Sequence, residues 1–184
     1  MTPGTLSFDD GPSEWTEPIL DLLFAHDVQA SFFVTGQNIL GRAPLLARMR
    51  NEGHTVGNHA LTHRRLTELD DHDVEMELAV TSALIECATG AWPAVWRAPY
   101  FAADERVLAV AERLGLAHVG ASVMPDDWLS DDAEAIARVV LAELVPGAVV
   151  SLHDGMPPRG GSTHASLSRA ATVEAVRLIL EAAG

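Results

Sequence analysis

Short apolar runs of strand length alternate with amphipathic segments of helix length along the whole 184-residue chain, and no other feature limits its fold so sharply. Strands are predicted over 5–8, 30–34, 55–57, 95–96, 117–123 and 148–152. Helices are predicted over 15–25, 43–51, 71–89, 105–114, 132–144 and 167–182. Their inward faces carry Ile19, Leu22 and Leu23, then Leu45, Leu46 and Met49, then Val74, Leu78, Thr81 and Ile85, and last Val173, Val176 and Leu180. Gly53, Gly90 and Gly115 stand where helices must stop. A helix between each pair of strands brings the chain back to the same end, so the strands run parallel. The count is six strands, or seven. A regular eight-fold barrel takes ~250 residues, so a barrel here is truncated and distorted; a doubly wound open sheet is the rival. No composition break or internal repeat divides residues 1–184, which read as one domain.

Hydrophobic residues make up 48% of the chain, as in a folded globular protein. No apolar run approaches the ~20 residues that span a bilayer. The net charge of -14 argues against nucleic acid or an anionic membrane as partner. Cys87, the only cysteine, excludes an intramolecular disulfide and reads as a core residue of a helix. Residues 1–5 show neither a basic nor an apolar signal region. The expectation is a cytoplasmic protein, or a secreted one if the chain has been trimmed.

The reactive side chains gather at strand ends. Asp9 and Asp10 follow the first strand and His59 and His63 the third. Arg97 follows the fourth, Asp126 and Asp127 the fifth, and His153 and Asp154 the last. These loops all leave the C-terminal ends of parallel strands, the face that carries the active site in both candidate architectures. Two imidazoles four residues apart share one face of a helical turn. With an acid from Asp9-Asp10 they make the two-His, one-carboxylate set of a catalytic zinc with an open position. Of two adjacent acids, one can bind metal while the other stays free as general base. Arg97 is the natural counter-charge for the free one. His153 reads either as a general acid or as a core histidine bonded to backbone. His26, His54, His72, His118 and His164 lack acidic company and read as structural or solvated.

These residues together resemble the NodB-type polysaccharide deacetylases, carbohydrate esterase family four. The resemblance rests on five ordered motifs: Phe8-Asp9-Asp10-Gly11-Pro12; Gly57-Asn58-His59 with His63; Arg97-Ala98-Pro99-Tyr100; Asp127-Trp128; and His153-Asp154. The run from His153 to Pro158 resembles the chitooligosaccharide deacetylases within the family. The resemblance implies a distorted (β/α) barrel and one divalent metal, zinc first, with cobalt, nickel or manganese as alternatives. It implies Asp10, His59 and His63 as ligands, Asp9 as base, Arg97 as its holder and His153 as acid. The Tyr100 backbone N–H would stabilise the oxyanion, and Pro99, Tyr100 and Trp128 would lie against substrate. The implied reaction is de-N-acetylation of N-acetylglucosamine in chitooligosaccharide, chitin or peptidoglycan.

Three positions depart from the family pattern. Met124 stands where an acid tunes the histidine, and its loss weakens protonation of the leaving group unless Asp126 or Asp127 moves in. Ser151 replaces the leucine of the acetyl pocket and makes its wall more polar. Ala60 replaces a hydroxyl residue that braces the histidine loop. They motivate two alternative readings, a glycan-binding protein with weakened turnover and a metal-dependent hydrolase of a small non-sugar amide.

Overall fold

A computed structural model describes residues 4–158 and 168–183. Thr163, His164 and the predicted start of the last helix at Leu167 lie outside the described residues. The strands are β1 (Thr5–Asp9), β2 (Ser31–Val34), β3 (Thr55–Asn58), β4 (Val95–Trp96), β5 (Ala117–His118) and β6 (Val149–His153). The helices are α1 (Thr16–Ala25), α2 (Gly36–Ile39), α3 (Ala43–Asn51), α4 (Asp71–Thr89), α5 (Glu105–Arg113), α6 (Ala133–Glu143) and α7 (Ala170–Ala183). The four-residue α2 was not predicted, being too short to show a helical period.

Local chemistry sets the helix ends. Asp70 accepts from the Asp73 N–H at the start of α4, and Gly90 closes it at φ 76°. Asp104 and Asp132 cap α5 and α6 in the same way. Cys87 is exposed, contrary to expectation. It lies two residues, or about 200°, around α4 from the buried Ile85 and so faces outward.

All six strands pair in parallel, in the order β5-β4-β3-β2-β1-β6. The predicted fifth strand is where the sheet curls. Only Ala117 and His118 pair with β4. The Val119 N–H still bonds the Trp96 carbonyl, but by Ser122 the chain has reached the opposite edge and donates to the Val149 carbonyl. Val123 then bridges Val150 of β6 in parallel. One segment thus touches both edges of the sheet and spans the gap between them. The architecture is a distorted half-barrel, and the open-sheet rival is excluded.

β1 shows how the two faces divide. Leu6 and Phe8 enter the main core, with Phe32, Val150 and Leu152 of the neighbouring strands and apolar residues of α1, α3, α6 and α7. A second core under α4 and α5 holds Leu78, Trp96, Val107 and Val110. The alternate residues of β1, Ser7 and Asp9, are buried on the other face. There they meet Arg97 and, in the case of Asp9, Ser151. The inner face of the half-barrel is therefore polar at its C-terminal end.

Candidate active site

Arg97 lies inside the curled sheet with no exposed surface. Its Nη1 donates to Asp9 Oδ1 at 2.8 Å and to Ser7 Oγ at 2.8 Å. Its Nε and Nη2 donate to the carbonyls of Val119 and Gly120 at 3.2 and 2.9 Å. The guanidinium also stands 4.1 Å from the centre of the Phe33 ring. Arg97 thus ties the crossing segment to β1 and holds one oxygen of Asp9. The other, Oδ2, accepts from Ser151 Oγ at 3.0 Å.

Asp10 turns away from this pair. Its backbone has φ 71°, in the left-handed region. Its Oδ1 lies 3.1 Å from His63 Nε2 and 3.6 Å from His59 Nε2. That oxygen is buried and without a hydrogen-bond partner among the described residues. His59 Nδ1 lies 2.9 Å from the Arg97 carbonyl, which fixes the tautomer and leaves the Nε2 lone pair free. Burial pushes His63 down to about 4, so its imidazole is neutral. One ligand atom from each of Asp10, His59 and His63 lies within 4.8 Å of the others. An orphaned carboxylate oxygen facing two imidazole nitrogens fits a divalent metal.

His153 ends β6 on the far side of Asp9. Asp127 Oδ1 lies 2.7 Å from its Nδ1, and Oδ2 accepts the His153 backbone N–H at 2.9 Å. Thr172 Oγ1 donates to the same Oδ2 at 2.7 Å. Burial disfavours a charge on His153, but Asp127, by charge and hydrogen bond, with Asp10 and Asp9 behind it, lifts the imidazole to about 9. Asp127 is also buried, yet His153 and its hydrogen bonds hold that carboxyl below the usual range. With Nδ1 engaged, Nε2 is the nitrogen left for the cavity.

Asp9, Asp10, His59, His63, His153, Ser151, Tyr100, Trp128 and Met124 line one cavity of about 320 Å³. Asp127 and Arg97 stand behind it, each touching a lining residue. Pro99 was expected against substrate but is buried and outside the lining. It opens the turn that presents Tyr100 at φ 58°. Of the two acids expected beside His153, Asp127 is there, while Asp126 lines the cavity at φ 51°. Six non-glycine residues near the site, Asp10, Ala60, His63, Tyr100, Phe101 and Asp126, have left-handed backbones; only Asp27 does so elsewhere among the described residues. Such strain persists where surrounding contacts over-determine it, and it gathers at functional sites. Phe101, Pro157 and Arg169 in the lining, and Thr172 behind Asp127, are not among the residues expected at the site. These are ordinary helix and loop residues placed there only by the tertiary fold.

Residues 4–119 match the family model for polysaccharide deacetylase. The chain is 41% identical over 180 residues to a chitooligosaccharide deacetylase of a Bradyrhizobium species, covering 96% of this chain and 82% of that one. It is 37% identical over 150 residues to a peptidoglycan-N-acetylglucosamine deacetylase of Listeria monocytogenes, covering 81% of this chain and 32% of that one. The fold superposes on a family 4 carbohydrate esterase from Streptomyces lividans, solved with acetate, at a TM-score of 0.84 and 29% identity, over 97% of this chain and 85% of that one. A family match over more than half the chain, and a relative this similar along nearly all of it, establish that the chain belongs to the polysaccharide deacetylase family.

Proposed function

We propose that this chain removes acetyl groups from N-acetylglucosamine units of chitooligosaccharide-type glycans, with Asp10, His59 and His63 holding one divalent metal, zinc first. The observation that carries the reading is the division of labour between adjacent carboxylates. Asp9 is paired with Arg97, and Asp10 faces two imidazoles, in a cavity that His153 enters from the other side. The Bradyrhizobium relative, similar over most of both chains, favours chitooligosaccharide over peptidoglycan.

A bound divalent ion would acidify a water molecule and polarise the amide carbonyl. Asp9, held in place by Arg97, takes the proton of the water as its oxygen bonds to the carbonyl carbon. The Tyr100 backbone N–H, presented by the turn that Pro99 opens, donates to the oxyanion that develops. His153 Nε2 then gives its proton to the amide nitrogen. The C–N bond breaks, leaving acetate and a free amine on the sugar. Asp127 holds His153 in the donating orientation throughout. The rings of Tyr100 and Trp128 offer apolar faces on which a sugar can stack.

Acetate release from chitooligosaccharides tests this directly. Release is expected from protein carrying one zinc per chain, to stop with a chelator and to return with zinc. Zinc-loaded protein that releases none overturns the reading, and faster cleavage of a small non-sugar amide redirects its substrate.

A further inference from the structure

The two histidines flank a tripeptide, Ala60-Leu61-Thr62, whose backbone is held on both edges. On one side, the Gly36 and Gln37 N–H groups at the start of α2 donate to the carbonyls of Ala60 and Leu61 at 2.9 and 3.0 Å. Gly36 permits this approach, since a Cβ there would lie 2.6 Å from Thr81 Oγ1 and 2.8 Å from Leu61 Cδ1. On the other side stands Glu77, a buried acid in the middle of α4. Its Oε2 accepts the N–H groups of Leu61 and Thr62, both at 2.8 Å, and its Oε1 accepts the Thr62 hydroxyl at 2.5 Å. Three donors converge on one carboxylate, and charge-assisted bonds of this kind are strong and directional.

This loop needs such a clamp. Ala60 and His63 both have left-handed backbones, at φ 62° and 59°, which side-chain-bearing residues adopt only under constraint. Ala60 has no hydroxyl with which to brace the turn. Its N–H is met by Asn58 Oδ1 at 2.8 Å, which leaves the rest of the loop to Glu77 and α2. The spacing between the imidazoles, whose centres are 5.0 Å apart, follows from the shape of this tripeptide.

Resting on the metal reading above, we infer that Glu77 is the positioning residue of the metal site: it touches no ligand atom but holds the His59–His63 loop in its binding geometry. The test is zinc affinity, measured by competition with a chromogenic chelator. Residues that orient metal ligands from behind typically contribute about 10- to 100-fold in affinity, so Glu77→Ala should weaken zinc binding at least about tenfold. Glu77→Gln keeps an oxygen for both N–H groups and an NH₂ for the Thr62 oxygen, so it should stay within about threefold of wild type by the same scale. Val74→Ala, elsewhere on α4, controls for simple loss of stability and should leave affinity unchanged. Zinc binding by Glu77→Ala equal to wild type overturns the inference, and so does equal weakening in all three variants. If Glu77→Ala does not fold, Thr62→Val carries the test: about threefold weaker binding supports the clamp, and unchanged binding overturns it. Wild-type protein that takes up no zinc sinks the metal reading itself, which separates the two failures.

Discussion

The two halves of the cavity are built on opposite principles. In one half the carboxylate and the imidazole proposed to move protons have their partners within the polypeptide: Asp9 has Arg97 and Ser151, and His153 has Asp127, which has Thr172. In the other half Asp10 Oδ1 and His63 Nδ1 are buried without hydrogen-bond partners among the described residues. Burying a charge unpaired is costly, and the cost falls only when something outside the chain supplies the missing contact. On the proposed mechanism, the contrast teaches that proton transfer is organised by the fold itself, whereas the half facing Asp10 is complete only with a ligand. It also gives neighbouring residues in one motif opposite energetic signs.

The largest effects break that contrast directly. Asp10→Ala should abolish zinc binding and acetate release, while metal-free protein unfolds at a temperature equal to or above wild type because an uncompensated buried charge is gone. Asp9→Asn should keep zinc at one per chain yet lose about 10²- to 10⁴-fold in kcat, the usual contribution of a general base. It should also lower the metal-free unfolding temperature, because breaking a buried ion pair costs about 3–5 kcal/mol. Equal unfolding temperatures for the two variants would dissolve the distinction between the halves.

Asp127→Asn sharpens the paired half. His153 is lifted to about 9, so as the proposed acid it keeps its proton below that pH, and turnover should fall as pH rises through it. Its pair with Asp127 stabilises the fold fully below the ordinary imidazole value of 6.5, and that contribution is lost as pH rises through about 9. Without the carboxylate the alkaline fall in activity should move to lower pH, with kcat reduced about 10- to 100-fold, as for one charge-assisted hydrogen bond. A pH profile identical to wild type would remove Asp127 from the proton path. Smallest is Ser151→Ala, which frees one oxygen of Asp9: kcat should drop about 3- to 10-fold with KM unchanged. A change confined to KM would make Ser151 a substrate contact only.

Much of this was legible in the sequence because it is local. α4 runs over the predicted residues, since an aspartate cap, an apolar stripe and a glycine stop all lie within the segment. The reactive residues were visible because each ends an apolar run. The segment from Ala117 to Val123 was misread as one strand, for its composition suits a strand while its two ends pair with different edges. Cys87 was misplaced by an apolar helix context that said nothing about which way it faces. Glu77 and Thr172 could not be found in advance. Each looks like an ordinary residue of an amphipathic helix, and its task arises only from what the fold brings against it. Left-handed backbones at Asp10, His63 and Tyr100 were equally hidden, because no glycine marks them.

The strut that Arg97 forms between β1 and the Val119–Gly120 crossing has a consequence for how such a chain would decay if its activity were no longer selected. A descendant that loses Asp9 leaves a guanidinium stranded in the middle of its own scaffold, whereas one that loses Asp10 leaves nothing stranded. Drift should therefore erase the metal ligands first and preserve the Asp9–Arg97 pair long after turnover has gone, as a fossil of chemistry kept for architecture. The paired unfolding measurements on Asp10→Ala and Asp9→Asn set the size of that bias.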